Sequence, residues 1–288
     1  MTKVSVIIPL YNSARFLPFL FENIAQQTIA ADCEFVFVDD HGGDDSLAVA
    51  QSLAAASFLR CIFTATEANG GPGAARNAGM AAASGEYIAF LDSDDALDPT
   101  FCEKLYDAAA GCDADLAYCH ILAVQEGRKG GGAKDAGCRD SAGGQAQSAV
   151  WRNPAVTGGD FSDGKRIYFL RRYKSYFTSF IYRRAMLIRE GITFPPTRSA
   201  EDSCFLACAL LCARSIAMVD EPLYHYRLRC DSVSKVKDEG RYRQRLESFK
   251  ALLDFAKEKG LYDRYRGILN YIRFKKGTLG ALRDRLKF

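Results

Sequence analysis

Three carboxylates stand within four residues at Asp92-Ser93-Asp94-Asp95, directly after the apolar run Tyr87–Leu91. Carboxylates this close repel one another and lose solvation when buried, so a compensating cation is expected. A hard divalent ion, Mn2+ or Mg2+, takes oxygen ligands and shares one or two carboxylates with substrate phosphates. A solvated turn accounts for the same residues, because Asp98-Pro99 follows with proline suited to a first helical turn. The run Asn69-Gly70-Gly71-Pro72-Gly73-Ala74-Ala75-Arg76-Asn77-Ala78-Gly79 permits close backbone approach and holds, in Arg76, a guanidinium able to reach a base or phosphate. It is not a P-loop, since no Gly-Lys-Ser/Thr follows, and not the dinucleotide fingerprint, which belongs after the first strand. A tight loop with Gly79 as a helix cap is the plain alternative. Ala200-Glu201-Asp202 precedes an apolar helical run. Asp202 has the chemistry of a general base, and both acids also complement a helix N-terminus. Tyr224-His225-Tyr226-Arg227 supplies groups for a substrate, or simply an edge strand.

These residues need elements to position them. Val4–Pro9, Glu34–Val38, Arg60–Thr66, Tyr87–Leu91 and Leu116–Val124 read as strands. Helical patterns separate them: one capped by Ser13 and running to Gln27, one opened by Asp45 and Ser46, one over Ala74–Ala83, and one started by Asp98-Pro99. Alternation of this kind predicts an α/β fold with a mostly parallel sheet flanked by helices. Ligands of such sheets bind at the carboxyl ends of the strands, here Leu10–Asn12, Asp39–Asp45, Glu67–Arg76 and Asp92–Asp95.

From Gln125 to Lys165 the pattern collapses, with ten of the 24 glycines, which predicts a flexible loop over 126–165. Arg166 to Arg184 then carries six basic residues and no acid, interleaved with aromatics. An amphipathic helix is expected from Arg241 to Lys259, with Leu246, Phe249, Leu252, Leu253 and Ala256 inward, followed by a basic helical tail. The expected units are therefore 1–125, 126–165, 166–235 and a C-terminal helical extension over 236–288.

Composition removes several classes. With 48% hydrophobic residues in 288, the chain has material for a core and is not disordered as a whole. The longest apolar run, Cys204–Ala213, is far short of the roughly 20 residues of a membrane span. No signal peptide is read at the start, and ten cysteines without a CxxC pair indicate reduced thiols, so a cytoplasmic protein is expected. Cys204, Cys208 and Cys212 would share one helix face and read as small core residues. The net charge of +3 conceals a split: residues 1–226 carry −7 and residues 227–288 carry +10. The acidic part suits a metal or polar substrate, the basic part an anionic surface.

Val4-Ser5-Val6-Ile7-Ile8-Pro9-Leu10-Tyr11-Asn12, Val38-Asp39-Asp40, the glycine-rich run to Gly79, Gly85–Asp95 and Glu201-Asp202 together resemble the family 2 glycosyltransferases in order and spacing. The resemblance is strong over 1–115, thins through the glycine-rich insert and returns at Glu201-Asp202 and Tyr224–Arg227. It implies a GT-A fold, an inverting transfer from a nucleotide-diphosphate sugar (a UDP-sugar being the expected donor) and a divalent metal. It implies that Pro9 and Tyr11 stack on the base, Asp39 holds the base edge, and Arg76 contacts base or phosphate. Asp92 would serve the ribose and metal side, Asp94 would ligate the metal, and Asp202 would be the catalytic base. Glu201, His225 and Arg227 are further candidate substrate contacts. One departure is local: His41-Gly42-Gly43-Asp44 stands where the family usually has Gly-Ser-x-Asp.

The expected acceptor is a glycan or a lipid-linked acceptor, with peripheral contact to an anionic membrane through the basic tail and no nucleic-acid partner. A haloacid-type phosphatase would need its carboxylates on the first strand. A sugar nucleotidyltransferase would need a glycine-rich, arginine-containing loop where Leu10-Tyr11-Asn12 stands. A non-catalytic nucleotide-sugar-binding protein would not need Asp202.

Overall fold

The computed structural model describes residues 1–125, 148–156, 159–174, 176–228 and 239–279. Its main sheet begins with β1 (Val4–Leu10), β2 (Cys33–Asp39), β3 (Cys61–Ala65) and β4 (Tyr87–Phe90). Val6, Ile8, Phe35 and Phe37 bury one face of these strands while Ile7, Val36 and Val38 bury the other. Strands apolar on both faces belong inside a sheet covered by helices on both sides. Ser5 and Glu34 are buried polar exceptions, and the Ser5 hydroxyl donates to Glu34 Oε1 at 2.7 Å while accepting from Gly85 N at 2.8 Å.

Further along come β6 (Leu116–Tyr118), β9 (Gly159–Asp160), β10 (Phe180–Arg183) and β11 (Ser215–Met218). The eight strands run in the order β3-β2-β1-β4-β10-β6-β11-β9. The first four are parallel, as are β6 and β11, whereas β10 and β9 are antiparallel to their neighbours. A smaller sheet joins β5 (Ala96–Leu97), β12 (Tyr224–Leu228), β7 (Ile121–Gln125) and β8 (Ser148–Trp151) in that order. The single strand expected over Leu116–Val124 is thus two strands in two sheets. Cys119 N turns to Ser179 O and His120 N to Glu221 O, so the chain changes partners between them.

Helices α1 (Leu17–Ala25), α2 (Ser46–Ala55) and α4 (Phe101–Ala110) cover one face of the main sheet. The other is covered by α3 (Pro72–Ala82), α5 (Asp163–Arg172), α6 (Arg184–Glu190) and α7 (Glu201–Cys212), together with α8 (Glu239–Glu258) and α9 (Tyr262–Ile272). A π-helical segment, Arg273–Thr278, continues α9. Phe249, Leu252, Leu253 and Ala256 of α8 are buried as expected, and Leu246 is half-buried. Cys204 and Cys208 are buried in the same core, and the eight cysteines among the described residues are free thiols.

Three local expectations are corrected. Ser13 stands at the N-cap of a 3-10 turn (Ala14–Phe16) that leads into α1, but its hydroxyl makes no capping bond and pairs with Ser93 Oγ at 2.7 Å, tying the end of β1 to the acidic motif. Gly79 is no cap but lies inside α3, where a Cβ would stand 2.3 Å from Ile7 Cγ2, so its missing side chain lets the helix sit on the sheet. The loop expected over 126–165 contains β8, β9 and the start of α5. Its first part, 126–147, lies outside the described residues.

Candidate active site

Because β1 lies between β2 and β4, the chain leaves these strands in opposite directions, opening a crevice at their carboxyl ends. Pro9 and Leu10 are in register with Val38 and Asp39, and Tyr11 beyond them is 51% exposed. Pro9, Tyr11 and Asp39 therefore share one rim. The divergent loop that follows has its own lock. A Cβ on Gly42 would lie 2.7 Å from Asn12 N, and Asn12 Oδ1 accepts from Gly43 N at 2.7 Å. Asp44 accepts from Ala14 N at 2.9 Å and from the Ser46 hydroxyl. Burial opposes charge on Asp44, but hydrogen bonds from Ser46 and Ala14 hold its carboxyl below the ordinary range.

Asp40, which carried no expectation, organises the glycine-rich loop. It is 2% exposed and accepts from Gly70 N and Gly71 N at 2.9 Å and from the Thr66 hydroxyl at 3.0 Å. The doublet Asp39-Asp40 was the available signal, and the inner acid serves the loop. Gly71, at φ 82°, passes against Arg198, whose guanidinium donates to Asn69 O at 2.7 Å. At Gly73 a Cβ would lie 3.3 Å from Glu201 Cγ, so the close approach permitted there is by the chain's own α7.

Arg76, the expected base or phosphate contact, spans two of the chain's own carboxylates. It is 5% exposed, with Nη2 2.7 Å from Asp92 Oδ1 and Nη1 3.8 Å from Glu201 Oε1. Its guanidinium lies 4.6 Å over the Phe177 ring and 5.5 Å from that of Phe194. Asn77, one residue on, exchanges two 2.9 Å hydrogen bonds with the backbone of Phe194 and fastens α3 to the segment ahead of α7.

The three clustered carboxylates divide their work. Asp95 is buried and accepts from the Tyr224 hydroxyl at 2.7 Å and from Arg227 N at 2.8 Å. Burial, then the charges of Asp92 and Asp94, push its carboxyl well up. Asp92 and Asp94 are half-buried and carry the outward side. Among the described residues no group of three His, Cys, Asp or Glu could enclose an ion. Asp92 and Asp94 are two hard oxygen donors, the number a divalent ion shared with substrate phosphates would use.

Glu201 and Asp202 open α7, after Ala200 in the left-handed region at φ 62°. Asp202 is half-buried, and its Oδ1 accepts from Ser203 N at 2.6 Å. Burial and then the Asp202 charge raise the Glu201 carboxyl to about 7, against the pull of Arg76. Burial also raises Asp202, opposed by Ser203 N–H, Arg76, Lys276 and Arg245. Lys276 was not anticipated. Burial lowers its amine to about 7 against the pull of Asp202, and its Nζ stands 3.3 Å from the Tyr173 ring centroid. The basic tail was legible, but not that one of its lysines faces the candidate base.

The remaining candidates separate. Glu201 belongs to the cluster, but His225 and Arg227 lie on the face of β12 opposite the Tyr224 side chain. The His225 imidazole is lowered by burial with Asp98 opposing, and the Arg227 guanidinium is 4.0 Å over Phe19. Arg227 serves the acidic motif through its backbone N–H.

Residues 5–190 match the family described as "Glycosyl transferase family 2". EpsH of Bacillus subtilis is 27% identical over 91% of this chain and 72% of its own length. The poly(ribitol-phosphate) beta-N-acetylglucosaminyltransferase TarS of Staphylococcus aureus is 32% identical over 78% of this chain, which spans only 35% of TarS. Residues 1–349 of TarS, solved in complex with UDP-GlcNAc, superpose with a TM-score of 0.65 at 25% identity, over 87% of this chain and 66% of that one. A mannosyltransferase from Pyrobaculum calidifontis, solved with GDP-Man and Mn2+, shares the fold at 17% identity, over 88% of this chain and 64% of that one, with a TM-score of 0.58. With the family match spanning well over half of its length, this chain belongs to the family 2 glycosyltransferases and has their GT-A fold.

Proposed function

We propose that the protein is an inverting glycosyltransferase that moves a sugar from a UDP-sugar to a hydroxyl of a glycan or lipid-linked acceptor, in polysaccharide or cell-surface glycan synthesis. The observation that carries this reading is the junction at Arg76, where the outward carboxylate Asp92 and Glu201, the neighbour of Asp202 at the start of α7, meet on one guanidinium. Donor side and base side are then parts of one cluster. The bound UDP-GlcNAc of the TarS structure supports a uridine donor.

Pro9 and Tyr11 give the base a wall, and Asp39 accepts from its edge. Asp94 and Asp92 would hold a divalent ion with the diphosphate, and such an ion neutralises the leaving group. Asp202 takes the proton of the acceptor hydroxyl as that oxygen attacks the anomeric carbon from the face opposite the diphosphate. The bond from the anomeric carbon to the diphosphate oxygen breaks in the same step, so configuration inverts and no covalent nucleophile is needed. A carboxylate raised by burial is a stronger base, and Arg76, Lys276 and Arg245 favour its ionised form at neutral pH. Arg76 is a positioning residue, holding Asp92 and Glu201 by its two nitrogens.

The test is a panel of UDP- and GDP-sugars incubated with Mn2+ and candidate acceptors, with calorimetric titration of UDP alongside. UDP binding without any sugar transfer would support a nucleotide-sugar-binding protein instead.

A further inference from the structure

The outer faces of α5 and the π-helical segment carry exposed apolar and basic side chains together. On α5, Ile167 is 39% and Tyr168 40% exposed, and Arg171 and Arg172 stand one turn further on the same side. The inward side of that helix holds Arg166, Phe169 and Leu170. On the π-helical segment Phe274 is 57% exposed, between exposed Arg273 and Lys275. Tyr271 joins the two: the Arg171 guanidinium lies 5.5 Å from its ring, and Lys275 Nζ donates to its hydroxyl at 2.9 Å. No acid occurs over residues 164–189 or 264–279. Scattered exposed apolar residues need no explanation, but apolar residues set among like-signed cations have the composition of an interfacial membrane contact.

We propose that α5 and the Arg273–Thr278 segment form a docking face for an anionic lipid surface, which brings Asp202 to an acceptor held at that surface. The occupant follows from charge complementarity and from the apolar side chains, which a purely ionic partner would not use. A chain of contacts leads inward from this face. Lys276, next to exposed Lys275, packs on Tyr173; the Tyr173 hydroxyl donates to Ser203 O at 3.2 Å; and Ser203 N donates to Asp202. The segment that touches lipid thus also lines the base. The proposal rests on the glycosyltransferase reading only in its second half, the delivery of the acceptor.

Co-sedimentation with phosphatidylcholine vesicles, with and without phosphatidylglycerol, at low and high salt, tests it on the full chain. The wild type should partition to the anionic vesicles, and high salt should release it. Each basic residue near such a surface contributes about fivefold to partitioning, so Arg171→Glu with Lys275→Glu should reduce it at least 25-fold. Tyr168→Ser with Phe274→Ser, which leaves the charge unchanged, should weaken binding to the anionic vesicles at low salt. Calorimetric UDP affinity, unchanged in both double variants, shows that they fold. Equal binding to neutral and anionic vesicles, no binding to either, or wild-type partitioning of the charge-reversed variant would overturn the proposal. Absence of UDP binding by the wild type would instead count against the glycosyltransferase reading and leave the vesicle result standing.

Discussion

Replacing Glu201 by Gln isolates the energetic consequence of burying a carboxyl group beside Asp202. In the unfolded chain this carboxyl ionises near 4.5, whereas in the fold burial and the Asp202 charge raise it to about 7. Between those values the folded state holds a proton that the unfolded state has lost, so stability falls as pH rises through the window. Below 4.5 both states are protonated and the penalty is absent; above 7 it is complete. A rise from 4.5 to about 7 corresponds to about 3 kcal/mol. Glutamine cannot ionise, so the variant lacks this slope. It also gives up the 3.8 Å contact with Arg76, but Arg76 keeps Asp92 at 2.7 Å. Any constant difference cancels when the two proteins are compared across pH. Urea unfolding followed by fluorescence of Trp151, at intervals from pH 4.5 to 8, should show the variant gaining about 3 kcal/mol relative to wild type. A difference that stays flat with pH, or that moves toward wild type as pH rises, refutes the reasoning.

Asp94→Ala should abolish the Mn2+-dependent part of UDP binding measured calorimetrically, with the melting temperature preserved, because Asp94 lies on the outward side of its motif. Asp202→Asn should lower kcat by about 10²–10⁴ with UDP affinity nearly unchanged; loss of UDP affinity instead would make Asp202 a binding residue. Gly79→Ala should destabilise the fold by about 1–3 kcal/mol in urea, because the new methyl would meet Ile7 across a packed helix–sheet contact.

Much of this arrangement is legible from local pattern. The alternation of Val4–Leu10 and Cys33–Asp39 with helical stretches reports strands apolar on both faces, and the polar residues that end them mark the crevice. What local pattern could not report depends on residues far apart in sequence. Insertion of β10 between β4 and β6 is decided by which edges are left open after the first four strands pair. Arg76 was visible as a cation, but its partners within the chain come from the end of β4 and the start of α7, which local pattern does not bring together. Gly79 looks like a helix end until Ile7 and Val38 are known to lie beneath it. Ser13 has the residue type of a cap, yet Ser93 competes for its hydroxyl across the loop crevice.

If the donor binds at Asp92 as proposed, the bridge at Arg76 would make donor affinity and proton affinity interdependent. Charge drawn from Asp92 by the donor would leave more of the guanidinium field to Glu201, whose carboxyl would then release its proton more readily. Linkage is reciprocal, so deprotonating Glu201 by raising the pH would in turn tighten the donor by the same factor. Occupancy of one subsite would then be read at the other as the gain or loss of a single proton, without displacement of either helix.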